Sequence, residues 1–170
     1  QRAAGVPVQL LSADEARARE PVLSVEARGA LCFVNGWQVD NRLLNWALLT
    51  AATEAGVKVH CGCKVARVIS ENHRVRSVEV NGEQFGARWV VVAAGAWSGT
   101  IDGASLPVRP AKGHALMLDA SDIPSFRVTR VLDSHLGYIV PRRSGRVVVG
   151  ATVEDVGFDK RVDDASITEL

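Results

Sequence analysis

The segment Gly95-Ala96-Trp97-Ser98-Gly99 combines a serine with two glycines, residue types that suit nucleophilic catalysis or the close approach of a ligand. A serine hydrolase elbow needs a glycine two residues to each side of the serine. Here Gly99 follows Ser98 directly, so the spacing excludes that elbow. Small residues where a strand ends instead let a ligand or another backbone come very close. The pattern leaves open a ligand-binding turn and a tight strand-to-helix turn packed on its neighbours.

A second cluster, His60-Cys61-Gly62-Cys63, brings together potential metal ligands. Zinc sites need a second ligand pair at a suitable spacing. The sequence has no such pair, because His73 and His114 stand in unrelated contexts, and we expect no metal site. With Cys32 the chain has three cysteines, which cannot all pair with one another. Reduced thiols and a cytoplasmic location are therefore expected.

Two phosphate-binding motifs are missing from the sequence. Neither G-x-G-x-x-G nor G-x-x-x-x-G-K-[ST] occurs in the chain. These motifs build the loops that hold the phosphates of dinucleotides and nucleotides. By itself, the chain therefore lacks a standard dinucleotide phosphate cradle.

Composition is that of an ordinary globular domain, with 47% hydrophobic and 23% charged residues in a chain of 170. Twenty basic and 19 acidic side chains give a formal net charge of +1. This near balance gives no electrostatic case for binding nucleic acid or an anionic membrane surface. No apolar run approaches the ~20 residues of a membrane helix, so no membrane span is expected.

Two kinds of pattern are interleaved in the sequence: an α/β pattern over roughly Val39 to Ser98, and an antiparallel β pattern on both sides of it. Ser12-Ala13-Asp14-Glu15 is a capping box that predicts a short helix ending before Pro21, and a strand is predicted from Ala30 to Val34. The best helix begins at Asp40 or Asn41 and ends at Gly56. Its predicted apolar face comprises Leu44, Ala47, Leu48, Ala51 and Ala55.

Short strands dominate the chain after Gly56. The Asn72-His73 and Asn81-Gly82 pairs predict turns within a meander. The unbroken apolar run Val90 to Ala94 predicts a strand buried on both faces, and ligands collect at the carboxyl edge of such strands. After Gly99, alternating strands and the Ser144-Gly145 turn indicate an antiparallel sheet. The predicted strands are 57–60, 65–69, 75–80, 83–85, 90–94, 115–118, 128–132, 138–141 and 146–149, and a helix capped by Asp163 or Asp164 comes after them.

Several segments together resemble the D-amino-acid oxidase (DAO) superfamily of FAD-dependent flavoproteins. Within this superfamily, the segment Tyr138–Asp159 most resembles the glycine oxidase, or ThiO-type, branch. The segments that carry it are Ala13–Pro21, Gln38–Asp40, Val90–Gly99, Leu106–Pro110, Lys112–His114 and Tyr138–Asp159.

The resemblance implies an α+β chain in which part of a Rossmann-type FAD-binding domain is interleaved with an antiparallel-sheet substrate domain. Residues 1–38 would begin the substrate domain, 39–105 would be an incomplete FAD-binding segment, and 106–170 would continue the substrate domain. The chain would be an internal fragment, with the glycine fingerprint before it and a flavin-contacting segment after it. We therefore expect FAD in the full-length protein and not in this chain alone, which we expect to be inactive.

Site residues follow from the same resemblance. Val65 would touch the adenine of FAD through its backbone, and a turn would lie near the ribose and pyrophosphate. That turn comprises Ala93, Ala94, Gly95 and Trp97. Pattern alone makes Tyr138 a half-buried sheet residue, but the resemblance places it near the substrate carboxylate, with Val153 lining the same pocket. No catalytic side chain on this chain is implied. The family's carboxylate-binding arginine would lie in a later segment, beyond this chain, and Arg142 and Arg143 are not given that role because they sit at a hairpin.

The implied function is oxidation of glycine or another small amine or amino acid by hydride transfer to flavin. A related dehydrogenase that passes electrons to another acceptor is equally compatible. The alternative from another class is a non-catalytic interaction module, or a degenerate flavoprotein that no longer binds FAD. Exposed apolar surface would then drive assembly of a homo-oligomer. In either case the expected partners include neither nucleic acid nor a membrane.

Overall fold

The structure is a computed structural model that describes residues 5–104, 106–123 and 126–170. The described residues form the mixed α+β architecture that was predicted. Its strands are β1 (Val8–Ser12), β2 (Gly29–Phe33), β3 (Val65–Glu71), β4 (Arg74–Val80), β5 (Glu83–Gly86), β6 (Ala115–Asp119), β7 (Leu132–Ser134), β8 (Gly137–Pro141) and β9 (Arg146–Gly150). Its helices are α1 (Ala13–Arg19), α2 (Asn41–Glu54) and α3 (Asp164–Glu169), and Gly95–Thr100 forms a 3₁₀ helix.

The chain divides into two compact units. The first unit contains Gln1–Asn41, Gly113–Thr152 and Val162–Leu170, and the second contains Arg42–Lys112 and Val153–Arg161. These units are interleaved along the chain, and their bounds differ from those of the predicted domains. Residues 106–112 and Val153–Arg161 cluster with the second unit, although they were assigned to the substrate domain. The functional division into substrate and FAD-binding domains stays a prediction.

Helix α1 has the predicted capping box. Its N-cap Ser12 accepts a hydrogen bond from the Glu15 backbone N–H, and the Glu15 carboxylate accepts one from the Ser12 N–H at 2.8 Å. The helix buries Ala16 in the first unit. There β1 pairs antiparallel with β2 and contributes the buried Leu11.

The antiparallel sheet of the first unit has the strand order β6-β9-β8-β7. Central strand β9 is paired on both sides and buries Val147. Gly145 supplies the left-handed residue of the predicted turn, with φ +82°. The prediction of a strand at 128–132 was wrong in extent, since β7 begins only at Leu132.

Glu20 explains why β7 starts late. Its carboxylate oxygen Oε2 accepts hydrogen bonds from the backbone N–H groups of Thr129 and Arg130, both at 3.0 Å, and from the Thr129 hydroxyl at 2.9 Å. These N–H groups are bound to a side chain, so they do not enter a strand ladder. Glu20 itself is only 1% exposed.

The second unit contains the predicted meander, a three-stranded antiparallel sheet in the order β3-β4-β5. Both of its turns carry positive φ angles, at Asn72 and His73 and at Asn81 and Gly82. Two consecutive residues with positive φ are the requirement of a tight type I′ hairpin. The local sequence therefore determines the two turns of this sheet.

Helix α2 ends as predicted. Gly56 has φ +86° and donates its N–H to the Thr53 carbonyl, while Val57 donates to the Ala52 carbonyl. This pair of bonds is the Schellman motif. However, none of the helix residues is buried, and Leu48 on the predicted apolar face is 61% exposed.

Two predicted strands of the second unit are not formed. Residues 57–60 and 90–94 have no ladder partner among the described residues. The expectation of burial on both faces at Val90–Ala94 was also wrong, because Val91 is 89% exposed. An apolar segment needs a neighbouring strand before it can satisfy its backbone groups within a sheet. Among the described residues, no helix has the length and apolar character to cross a membrane.

Candidate functional site

The glycine-rich segment folds into a 3₁₀ helix directly after the apolar run. Gly95 begins it with φ +54°, and the Trp97 N–H donates to the Ala94 carbonyl at 3.1 Å. A Cβ atom built on Gly95 would meet nothing within 4 Å. The backbone at Gly95 is therefore bordered by open space.

The second glycine of the segment behaves differently. A Cβ atom on Gly99 would lie 2.5 Å from the Val108 carbonyl oxygen and 3.2 Å from that of Leu106. Glycine is required there because another stretch of backbone packs directly on it. The two interpretations left open by the sequence thus separate: Gly99 belongs to a packed turn, and Gly95 leaves room beside the chain.

Strand β3 is tied to the end of the same segment. The Val68 N–H donates to the Asp102 carbonyl at 2.8 Å, and the Asp102 N–H donates to the Ala66 carbonyl at 3.1 Å. An ion pair of 3.0 Å joins the Arg67 and Asp102 side chains. Val65, half-buried at the start of β3, therefore lies on an element hydrogen-bonded to the chain that follows the glycine turn.

Trp97 forms an aromatic platform. Its ring stacks on Phe158, with centroids 5.7 Å apart and planes 28° apart, and Lys160 Nζ lies 4.6 Å from the Trp97 ring centroid. In the same segment as Phe158 and Lys160, hydrogen bonds from the Arg161 side chain hold the pKa of Asp159 far below its ordinary value. Nothing in the sequence indicates that Trp97 meets residues so distant along the chain.

The two predicted substrate residues belong to different compact units. Tyr138, in β8 of the first unit, is half-buried and stands opposite Asp133 and Gly150. Val153, in the second unit, is 83% exposed. The role of each residue in a common pocket stays a prediction.

The hairpin arginine Arg142 is engaged in the structure of the first unit. Its guanidinium donates to the Gln38 side-chain oxygen at 2.9 Å and to the Val39 carbonyl at 3.2 Å. Gln38 in turn donates to the Pro141 carbonyl at the end of β8. Arg142 is therefore bound to the chain itself, which agrees with leaving it out of the substrate-binding residues.

Sequence reasoning missed two side-chain-to-backbone contacts in the first unit. Glu20 binds backbone more than 100 positions away, and no local motif indicates such a contact. Gly150 lies against the Tyr138 ring. A signal for Gly150 was available, because a glycine that ends an apolar strand marks a close approach.

One unit contains a four-stranded antiparallel sheet, and the other contains a small-residue turn with open space at Gly95. Residues 1–170 match the DAO family, described as FAD dependent oxidoreductase. The chain belongs to this family of FAD-dependent oxidoreductases.

Curated relatives are about one-third identical to the chain. The bifunctional protein ThiO/ThiG of Nostoc sp. (strain PCC 7120) is 35% identical over 152 residues, which cover 89% of this chain and 23% of that protein. Glycine oxidase of Geobacillus kaustophilus is 34% identical over 173 residues, covering 99% of this chain and 45% of the enzyme. The chain thus spans less than half the length of these relatives.

Solved structures agree with the sequence comparison. The crystal structure of glycine oxidase from Geobacillus kaustophilus matches with a TM-score of 0.88 and 33% identity, over 99% of this chain and 46% of that one. L-proline dehydrogenase from P. horikoshii matches with a TM-score of 0.87 at 21% identity, over 99% of this chain and 47% of that one. The second likeness shows the fold alone.

Proposed function

We propose that the full-length protein oxidises glycine or another small amine or amino acid with FAD as the electron acceptor. The likeness to a glycine oxidase in both sequence and structure supports this proposal. Because the chain spans under half of such relatives, the activity belongs to the longer protein. Bound FAD would supply hydride acceptance, since that chemistry is the cofactor's own.

The single observation that carries the proposal is the open space at Gly95. Ala93, Ala94 and Gly95 together present backbone with little side-chain bulk, and Ala93 and Gly95 are exposed. Backbone of this kind lets the ribose and pyrophosphate of FAD come within contact distance. We assign Val65 to the adenine and Trp97 to the border of the turn. Because no phosphate-binding fingerprint lies within the chain, retention of FAD would need the rest of the protein.

The residues of this chain would contribute to the reaction by orienting the substrate and by excluding water from it. The Tyr138 hydroxyl would hydrogen-bond the substrate carboxylate, and Val153 would supply an apolar wall. With the carboxylate held and the amine neutral, a hydride would pass from the substrate α-carbon to FAD, and water would hydrolyse the iminium that remains to a carbonyl product and ammonia or an amine. No acid or base from this chain is needed for that account.

A substrate panel tests the activity. Full-length protein is incubated with glycine, sarcosine and small D-amino acids, and both oxygen consumption and dye reduction are recorded. We expect oxygen consumption with glycine or sarcosine that depends on FAD. Dye reduction without oxygen consumption would instead identify a dehydrogenase. Turnover of no member of the panel, in protein loaded with FAD, would contradict the proposal.

The cofactor assignment is tested by paired glycine substitutions in the full-length protein. Gly95→Leu fills the space beside the turn, and we expect the dissociation constant of FAD to rise at least about tenfold, a loss of about 1.4 kcal/mol. Gly62→Leu is the control, because Gly62 also has positive φ, +70°, and nothing within 4 Å of a built Cβ atom. Flavin titration by fluorescence measures both variants. Equal affinities in the two variants would remove the turn from the cofactor site.

A further inference from the structure

The Tyr138 ring lies across the backbone of Gly150. These two residues are direct partners in the β8–β9 ladder. A Cβ atom built on Gly150 would lie 2.6 Å from the Tyr138 Oη, 2.7 Å from Cζ and 3.0 Å from Cε2. Carbon atoms do not approach so closely, so the space that a side chain at position 150 would need is filled by the hydroxyl end of the ring.

The backbone around this contact is closely packed. Gly150 is buried and pairs on its other side with Ala115 of β6. Gly137, which precedes the tyrosine, has φ +132°, and a Cβ atom on it would lie 2.6 Å from the Gly150 carbonyl oxygen. An aromatic side chain that covers a glycine on the neighbouring strand is a known means of fixing both residues in a sheet. Tyr138 nevertheless stays half-exposed, so part of the residue is accessible to solvent.

We propose that Gly150 is a positioning residue, which sets where the Tyr138 hydroxyl is presented to the substrate. This inference rests on the proposed function, in which that hydroxyl binds the substrate carboxylate. Any side chain at position 150 displaces the hydroxyl end of the ring, because that end is what it would meet first. A misplacement of about 1 Å is enough to cost an enzyme up to about a hundredfold, and here the loss should fall mainly on substrate binding, because the hydroxyl binds the carboxylate.

The test uses the full-length FAD-loaded protein and the variant Gly150→Ala. We expect its KM for the amino acid to rise at least about tenfold, with a smaller change in kcat and unchanged flavin content. Gly86→Ala is the matched control, since Gly86 also lies in a strand and a Cβ atom there would meet only the Arg76 carbonyl oxygen, at 4.0 Å. An unchanged KM in Gly150→Ala would overturn the proposal.

The same substitution in a Tyr138→Ala protein shows whether Gly150 acts by positioning the tyrosine or by a general effect on the fold. In protein carrying Tyr138→Ala there is no ring to displace, so adding Gly150→Ala should leave KM unchanged. An equal rise in KM in both backgrounds would show that Gly150 acts by another route. If Gly150→Ala alone does not fold, the double variant decides: recovery of folded protein identifies the ring as the obstacle, and failure of both overturns the proposal.

The variants Tyr138→Phe and Tyr138→Ala test the substrate-binding role of Tyr138 separately from the positioning role of Gly150. If neither raises KM, the tyrosine is outside the substrate site, and the positioning role falls with it. If both raise KM but Gly150→Ala does not, the substrate role of Tyr138 stands and only the role of Gly150 is lost.

Discussion

The four-stranded sheet of the first unit and the α2 and Val90–Ala94 regions of the second are similarly apolar in sequence but differ in burial. The sheet buries Val147 at 4% exposure, whereas Leu48 in α2 is 61% exposed and Val91 is 89% exposed. Among the described residues, every buried apolar side chain (Leu11, Ala16 and Val147) belongs to the first unit.

The difference shows that hydrophobicity alone does not create a strand or a core. Among the described residues, strands β6 to β9 find their ladder partners between residues 115 and 150. Residues 90–94 have no such partner among the described residues. We propose that the longer protein, more than twice this length in the glycine oxidase relative, covers α2 and completes a sheet around Val90–Ala94.

Among substitutions in the first unit, we expect the largest loss of stability from replacing Glu20. Glu20→Ala leaves the N–H groups of Thr129 and Arg130 without their acceptor, so we expect a loss of about 2–4 kcal/mol in the free energy of unfolding. Urea denaturation of the 170-residue chain measures it. The control is Glu26→Ala, at an exposed position, which should stay within about 0.5 kcal/mol of the parent. Equal losses at the two positions would refute the structural role given to Glu20.

Two side-chain truncations, one in each unit, test the difference in burial between the four-stranded sheet and α2. Val147→Ala removes buried methyl groups from β9 and should cost about 2 kcal/mol. Leu48→Ala removes exposed ones from α2 and should change the chain's stability by no more than about 0.5 kcal/mol. In the full-length protein, where we propose that α2 is covered, the Leu48→Ala cost should rise toward that of Val147→Ala. Thermal or urea unfolding of both lengths checks this, and a Leu48→Ala cost that is the same at both lengths would argue against the proposed cover.

What sequence could predict depends on how local each feature is. The Ser12–Glu15 box, the left-handed Gly56 and the Asn81-Gly82 turn are each set by a few adjacent residues, and all three were confirmed. The contacts of Glu20 with Thr129 and of Trp97 with Phe158 join distant positions. Such contacts depend on the tertiary fold, which short-range patterns do not specify.

The family resemblance assigned more residues to the candidate site than residue pattern alone could. Residue pattern indicated only that small residues near Gly95 permit close approach, and the open space at that glycine is consistent with this. The assignment of Val65 and Tyr138 came entirely from the resemblance. Pattern alone described Tyr138 as an ordinary sheet residue, and its contact with Gly150 becomes visible only when β8 and β9 are paired.

The smallest expected effect concerns the cap of α1. Hydrogen bonds from the Ser12 backbone N–H and the Ser12 side chain lower the pKa of Glu15 from its ordinary value of 4.5 in the folded chain. A carboxylate with a depressed folded pKa stabilises the native state above its unfolded pKa and loses that contribution as the pH falls through the folded value. Glu15→Gln should therefore lower Tm slightly at pH values above 4.5, and the difference should shrink as the pH falls below it.

Thermal melts of the parent and Glu15→Gln across this pH range make the measurement, with Glu26→Gln as an exposed control. The capping bond is exposed, so only a small shift is expected, and salt should reduce its electrostatic part. A difference that stays constant as the carboxylate is protonated would mean that packing or helix propensity, and not the charged cap, accounts for the effect at Glu15. Because the cap is complete within Ser12–Glu15, the shift should be the same in the chain and in the longer protein, unlike the change expected at Leu48.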